Sequence, residues 1–281
     1  MRTAVVGHVE WVECAVVDRV PRPGEIAHAR ESFEIAGGGG AIAAVQLARL
    51  AGDCTFYTAL GDDELGVRAA EDLTRMGVRV EAAIRPGKPT RRGFAFLDSH
   101  GERTITVLGE RLGPSAADDA ELPWGELADV DGVYFVAGDA AALRAARAAR
   151  ALVATARISD FLASASVQLD AVVGSSADVA ERYHPFEPPP RYVTITAGSH
   201  GGDWTAGDGR TGRWDAVQMP GPAVDAYGAG DSFAGGLAYA LGAGMEIGPA
   251  LALAARCGAT CMTGRGPYGR QLIRAELNAT A

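Results

Sequence analysis

A chain of 281 residues, 48% of them hydrophobic, can bury a full core as one large domain or as one with a small appendage. Its formal net charge of −9 and lack of a long basic run argue against a nucleic-acid or anionic-membrane surface. Cys14, Cys54, Cys257 and Cys261 have no accompanying histidine pair and read as small buried hydrophobes of a cytoplasmic chain.

Thr3-Ala4-Val5-Val6-Gly7 reads as a first strand with no signal-peptide core ahead of it, and no apolar run is long enough to span a bilayer. His8 to Glu13 continues with partial alternation, Pro21 to Glu25 is a turn, and residues 27–35 read as another strand, a β-rich excursion without helical periodicity. Gly37-Gly38-Gly39-Gly40 then opens a buried helix over 41–50, and glycine there lets a ligand or a neighbouring element come close to its N-terminus. Residues 53–60 read as strand, and Asp62, Asp63 and Glu64 start a helix that runs to Met76. After a strand over 78–84, residues 93–97 and 103–108 form a hairpin around Asp98-Ser99-His100-Gly101. Two β-only patches in an otherwise α/β chain predict a small sheet outside the main one.

Residues 133–136 are a strand, and 140–156 read as a helix with Arg144, Arg147 and Arg150 on one solvated face. The strand over 171–173 ends in Gly174-Ser175-Ser176-Ala177-Asp178 before a short helix, and His184 to Pro190 is a stiff connector. The strand over 192–196 runs into Ala197-Gly198-Ser199-His200-Gly201-Gly202, with a hairpin around Gly207-Asp208-Gly209 beyond it. Strands alternating with helices predict a mostly parallel, helix-covered sheet whose ligands lie beyond the carboxyl ends of the strands. No Gly-x-Gly-x-x-Gly follows the first strand and no Gly-x-x-x-x-Gly-Lys-Ser/Thr occurs, which argues against a dinucleotide fold and a Walker-type loop.

The most informative stretch is Asp225-Ala226-Tyr227-Gly228-Ala229-Gly230-Asp231-Ser232-Phe233, followed by an apolar run at helical spacing. Glycines at a helix mouth let successive N–H groups converge, and the unpaired N–H groups of the first turn add positive potential. An anion has a seat there, and Asp231 beside it is suited to take a proton from whatever attacks that anion. The pattern points to phosphoryl transfer.

At this point the chain resembles the PfkB, or ribokinase-like, family of small-molecule kinases over essentially its full length. The resemblance rests on two blocks. One is Gly37 to Gly52 with Leu60-Gly61-Asp62-Asp63-Glu64-Leu65-Gly66, and the more specific one is Val224 to Phe233. It implies a three-layer α/β/α core with a mostly parallel central sheet over 1–9, 37–87 and 111–281. A small β-sheet lid over 10–36 and 88–110 would close on the phosphoryl acceptor and mediate a homodimer. It implies ATP with Mg2+, a small-molecule substrate, Asp231 as catalytic base, and the N–H groups of Gly228, Ala229 and Gly230 as an anion hole. Ser175, Thr196, Gly198 and Gly201 would border the nucleotide, with Gly258 and Gly264 along its adenine side. Asp178 would reach Mg2+ through water, and carbonyls at Asp225 would hold a monovalent cation such as K+.

Several positions depart from the family pattern, mostly on the acceptor side. The Asp that follows the first strand in sugar kinases is matched by Val12, flanked by Glu10, Trp11 and Glu13, and the Asn of the glycine block by Ile42. Glu10 is the candidate replacement grip, Trp11 a candidate stacking surface, and Gly38 and Gly39 the backbone wall of the acceptor site. Ser175-Ser176-Ala177-Asp178 replaces an Asn-x-x-Glu block, and Ala226 stands where Thr is common. The chain thus reads as an ATP-dependent kinase acting on an alcohol group of a sugar or sugar-like metabolite. A catalytically weakened binding protein and a kinase of a nucleoside or hydroxymethyl heterocycle are the alternatives.

Overall fold

The computed structural model describes residues 1–277. The chain opens with β1 (Thr3–Val6), β2 (Glu10–Val16), β3 (Glu31–Gly37), α1 (Gly39–Ala51), β4 (Cys54–Gly61), α2 (Glu64–Arg75) and β5 (Arg79–Arg85). It continues through β6 (Arg92–Leu97), β7 (Arg103–Leu108), β8 (Gly132–Phe135), α3 (Ala140–Ala146), β9 (Ala151–Thr155), α4 (Ser159–Ala165) and β10 (Ala171–Ser175). Then come β11 (Tyr192–Thr196), β12 (Gly202–Ala206), β13 (Thr211–Trp214), α5 (Ala229–Gly242) and α6 (Ile247–Cys261).

The central sheet has the order β13-β12-β11-β10-β9-β8-β1-β4-β5. From β11 to β5 every pairing is parallel, and β12 and β13 append an antiparallel hairpin. Side-chain alternation divides each central strand between two cores. Val5, Tyr134 and Val153 join α1, α2, α5 and α6 on one face, while Val6, Val133, Phe135 and Leu152 join α3 and α4 on the other. This is the α/β/α sandwich expected from the alternating elements.

The second sheet, β3-β2-β6-β7, is the lid. β2 runs parallel to β6, and the outer pairings are antiparallel. Its inner face carries Val12, Cys14, Ala95 and Leu97, packed on Ile42 of α1 and on Tyr227. The lid is therefore anchored by apolar burial at the two blocks that define the motif, which aims its first strand at the mouth of the core.

One predicted element is wrong. The helix expected over 140–156 stops at Ala146, and residues 151–155 form β9, followed by the separate helix α4. Alanine favours a helix, but a parallel strand buried on both faces also reads as a continuous apolar run. All five residues of β9 are buried. Arg147 and Arg150 consequently leave the supposed helix face and form ion pairs with Asp170 at 2.7 Å and Asp131 at 3.0 Å. The strand expected over 27–35 lies at Glu31–Gly37.

Candidate active site

α1 and α5 present their N-termini side by side at the carboxyl end of the central sheet. Both start on a glycine in a positive-φ conformation, Gly38 at φ 89° and Gly228 at φ 85°. A Cβ at Gly228 would also lie 2.6 Å from Cβ of Pro267, so the turn admits no side chain. Among the described residues, the N–H groups of Gly228, Gly230 and Asp231 have no hydrogen-bond acceptor, whereas that of Ala229 turns back to the carbonyl of Ala226 at 3.3 Å. The Cα of Gly230 faces open space. The free donors at this helix mouth are thus Gly228, Gly230 and Asp231, with Ala229 partly engaged.

Asp225 holds the loop before α5 in shape. Its Oδ1 accepts from the Tyr227 N–H at 2.9 Å and its Oδ2 from the Gly266 N–H at 2.7 Å, tying the motif to the 265–268 loop. Burial raises its pKa, an effect those two hydrogen bonds oppose.

Asp231 sits one residue into the exposed edge of this turn. Its Oδ1 lies 2.6 Å from the point a Cβ on Gly39 would occupy. Burial, reinforced by Glu181, pushes its pKa up to about 6, with Arg103 and Arg157 opposing. A carboxylate of that basicity near neutral pH is a proton acceptor of useful strength.

On the nucleotide side, Ser175 and Thr196 end β10 and β11 in register. Ser175 Oγ accepts from the Ala177 N–H at 3.2 Å, and Thr196 Oγ1 donates to the Gly174 carbonyl at 3.2 Å. Gly198 at φ 55° has open space at its Cα, whereas a Cβ on Gly201 would strike the Trp214 carbonyl at 2.0 Å. Gly258 and Gly264 are both buried. Gly258 seats α6 on the Ala229 carbonyl, and a Cβ on Gly264 would be 2.2 Å from the Arg270 N. Close packing of backbone accounts for glycine at both positions.

Asp178 is not a free ligand. Its Oδ2 pairs with Arg157 at 2.6 Å while its Oδ1 accepts from the Ala180 N–H at 2.9 Å. Glu181 shares the same guanidinium at 2.7 Å. Neither Arg157 nor Glu181 stood out in the sequence; the spacing from Asp178 to Glu181 was the available signal.

The acceptor side differs most from expectation. Val12 and Ile42 are fully buried and line no polar pocket; they form an apolar wall with Tyr227, which is itself only 2% exposed. Tyr227 was the missed residue here, and its hydroxyl oxygen lies 2.7 Å from the Cβ position of Gly37. Trp11 faces away, with Arg68 over its ring at 4.2 Å. Glu10, by contrast, turns inward. It is 6% exposed, 3.4 Å from His8 and 3.0 Å from Arg91. Burial opposes its charge, but His8, Arg91 and Arg111 outweigh that and hold its pKa low. Burial, aided by both arginines, lowers the pKa of His8 despite Glu10, so the imidazole is neutral at neutral pH. A Cβ on Gly38 would touch Glu10 Cγ and His8 Cδ2 at 3.4 Å, which places this cluster beside the Gly39–Asp231 contact.

Comparison with known proteins identifies the family and the fold. The model of the pfkB family of carbohydrate kinases matches residues 2–172 and 136–272. The chain belongs to that family. It is 29% identical to the ATP-dependent ribose-1-phosphate kinase of Halopiger xanaduensis, over 92% of this chain and 91% of that one. Ribokinase from Giardia lamblia superposes with a TM-score of 0.79 at 17% identity, covering 98% of each chain. Arabidopsis thaliana ribokinase complexed with ribose and ATP does so with a TM-score of 0.75 at 20% identity, over 98% of this chain and 96% of that chain. Membership in the pfkB family carries phosphoryl transfer to a small metabolite as the general activity. Among the described residues no helix is long and apolar enough to cross a membrane.

Proposed function

We propose that this pfkB-family protein transfers the γ-phosphoryl group of ATP in line to a hydroxyl of a sugar or sugar-like metabolite. Asp231 is the general base. The observation that carries this is its carboxylate, held at a pKa of about 6, one residue from free N–H donors at the N-terminus of α5. A hydroxyl is a weak nucleophile, and a carboxylate within hydrogen-bond reach accepts its proton as the bond to phosphorus forms. The N–H groups of Gly228 and Gly230 meet charge on the transferring group without reorganising.

The nucleotide lies along Ser175, Thr196 and Gly198. Asp178 and Glu181 fit a Mg2+ that takes most of its ligands from phosphate and water, because both already have one oxygen on Arg157. When bound, Mg2+ neutralises phosphate charge. Asp225 supports a monovalent-cation site only through its backbone, since its carboxylate is engaged by two N–H groups. Residues 10–36 and 88–110 act as the unit that excludes water on closure. The outer strand β7 exposes five of its six residues, which supports a homodimer formed through the lid.

The test is ADP release by the purified protein with ATP, Mg2+ and K+ against pentoses, hexoses, their monophosphates, nucleosides and hydroxymethyl heterocycles, with Asp231→Asn in parallel. Acceptor-dependent release that the variant loses while still binding ATP supports the reading. ATP binding without turnover on any acceptor would favour a binding or regulatory role instead.

A further inference from the structure

A single side chain joins the two helix mouths that build the site. Gln271 is buried, and its Nε2 donates to the Ile42 carbonyl of α1 at 3.2 Å and to Ser232 Oγ of α5 at 3.1 Å. An amide nitrogen carries two hydrogens, so both bonds form at once, and a backbone carbonyl only accepts, so Nε2 is the atom that faces it. The two contacts fall at equivalent places in the two helices. The Ile42 N–H closes the first turn of α1 on the Gly38 carbonyl at 3.1 Å, and the Ser232 N–H closes that of α5 on the Gly228 carbonyl at 2.9 Å. Gln271 thus ties first turn to first turn, at the residue directly after Asp231.

The chain around Gln271 is held ready for this. Next to it the Leu272 carbonyl accepts from Gln46 Nε2 of α1 at 2.8 Å. Earlier in the segment the Tyr268 carbonyl accepts from Arg49 at 3.0 Å, and the Gly266 N–H donates to Asp225 at 2.7 Å. The backbone is fixed along α1, and the Gln271 side chain is what reaches across to α5. Elsewhere these helices meet through small residues: a Cβ on Gly235 would stand 3.2 Å from the Ala43 carbonyl. Apolar contact of that kind is close but non-directional, whereas a hydrogen bond weakens steeply as its angle is lost.

Stability alone does not account for an amide here. Among the described residues no group donates to Gln271 Oε1, and a buried carbonyl oxygen without a donor is a cost that an apolar side chain of the same length avoids. The groups it serves have other partners. The Ile42 carbonyl belongs to the hydrogen-bond ladder of α1, and Ser232 also hydrogen-bonds the Cys261 thiol. What the amide adds is geometry.

We propose that Gln271 is a positioning residue for the reaction: by tying the first turns of α1 and α5 together, it holds the Asp231 carboxylate in its place against Gly39. This rests on the phosphoryl-transfer reading with Asp231 as the base. Asp231 Oδ1 already stands 2.6 Å from the Gly39 Cβ position, so a slip of either turn moves the base. The residues assigned to the nucleotide, Ser175, Thr196 and Gly198, lie at the ends of β10 and β11 and are not touched by Gln271. Loss of the tie therefore acts on kcat rather than on ATP binding.

The experiment compares wild type, Gln271→Met, Ser232→Ala and the double variant, each first taken through a melting curve. Methionine fills a similar volume without a donor. One readout is ADP release with ATP, Mg2+ and whichever compound of the panel above turns over fastest. The other needs no turnover: amide hydrogen exchange, read by mass spectrometry, in peptides covering residues 38–44 and 228–234. Gln271→Met should melt within a few degrees of wild type yet lose about 10–100-fold in kcat, the range for moving a catalytic group by up to about 1 Å, with the KM for ATP within about twofold. Ser232→Ala should lose kcat in the same way, and the double variant should be no slower than Gln271→Met by more than about twofold, because both changes cut one tie. Exchange in both first turns should quicken in Gln271→Met while peptides from α3 stay as in wild type.

A kcat of Gln271→Met equal to wild type, a loss that only follows its folded fraction, or effects of the two single changes that multiply in the double variant would overturn the proposal. So would unchanged exchange in both turns. Undiminished turnover by Asp231→Asn, or no turnover of any acceptor by wild type, would instead overturn the assignment of the base or the phosphoryl-transfer reading, and the exchange of the two turns would still decide whether Gln271 ties them.

Discussion

The carboxylate of Asp231 rests against the backbone of Gly39, with Oδ1 2.6 Å from where a Cβ at that glycine would be. The two glycine-rich blocks, almost two hundred residues apart, are thus one structure: the N-terminus of α1 sets the position of the base at the N-terminus of α5. A side chain on Gly39 would meet only the far end of a flexible carboxylate, which can rotate away. Gly39→Ala should therefore melt within a few degrees of wild type, since alanine suits a helix better than glycine. Its kcat should nonetheless fall about 100-fold, the penalty for displacing a catalytic group by about 1 Å. Melting curves and initial rates check both halves, and an unchanged kcat would separate the contact from catalysis.

The pH dependence follows from the raised pKa of Asp231. A base must be ionised, so kcat/KM should rise about tenfold per pH unit below the pKa of about 6 and level off above it. Stability has the opposite sense. A carboxyl with a folded-state pKa above its ordinary value of 3.8 contributes stability that is present below that value and lost as pH rises through about 6. Asp231→Asn, which cannot ionise, should melt higher than wild type at neutral pH, and the gap should close towards acid. Equal melting temperatures at both ends would show that the burial penalty is small.

Gly228 meets two obstacles to substitution, its φ of 85° and the 2.6 Å approach of Pro267 to its Cβ position. Gly228→Ala should lose about 2–4 kcal/mol, the sum of left-handed strain and overpacking against a rigid ring. Its donors would shift with the turn, so residual activity in the folded fraction should be reduced as well. Denaturant titration and activity normalised to folded protein measure these separately.

Asp225 couples the motif loop to Gly266 by accepting two N–H groups in a buried position. Asn at this site keeps one acceptor and presents an amide donor to the other N–H. Asp225→Asn should cost about 1–3 kcal/mol, the range for leaving a buried donor unsatisfied. The melting temperature should fall, and because burial raises the folded-state pKa of Asp225 the deficit should be largest at acid pH and narrow as pH rises towards neutral.

Much of this was legible in sequence because it depends on local rules. Glycine before an apolar helical run, an acidic residue in its first turn and strands alternating with helices are encoded within a few residues of one another. So were the Asp225–Asp231 block and the β-only character of the lid segments. What failed locally was β9, where a buried strand of Ala, Leu and Val carries no period to distinguish it from helix. At Gly258 and Gly264 the sequence marked a close approach but not its partner, which is the Ala229 carbonyl for one and Arg270 for the other.

The residues by themselves therefore determined the fold class and the glycine turn at the N-terminus of α5 on which the proposed donor site rests, because backbone turns and helix termini are properties of short segments. Only the tertiary structure decided the acceptor half. Val12 and Ile42 looked like lost contacts and are instead a wall closed by Tyr227, while Glu10, Arg91 and Arg111, from three different segments, form a charge cluster no single stretch displays. Burial, ion pairing and the pKa of Asp231 depend on what the lid brings down over the core, and that is set by distances through space rather than along the chain.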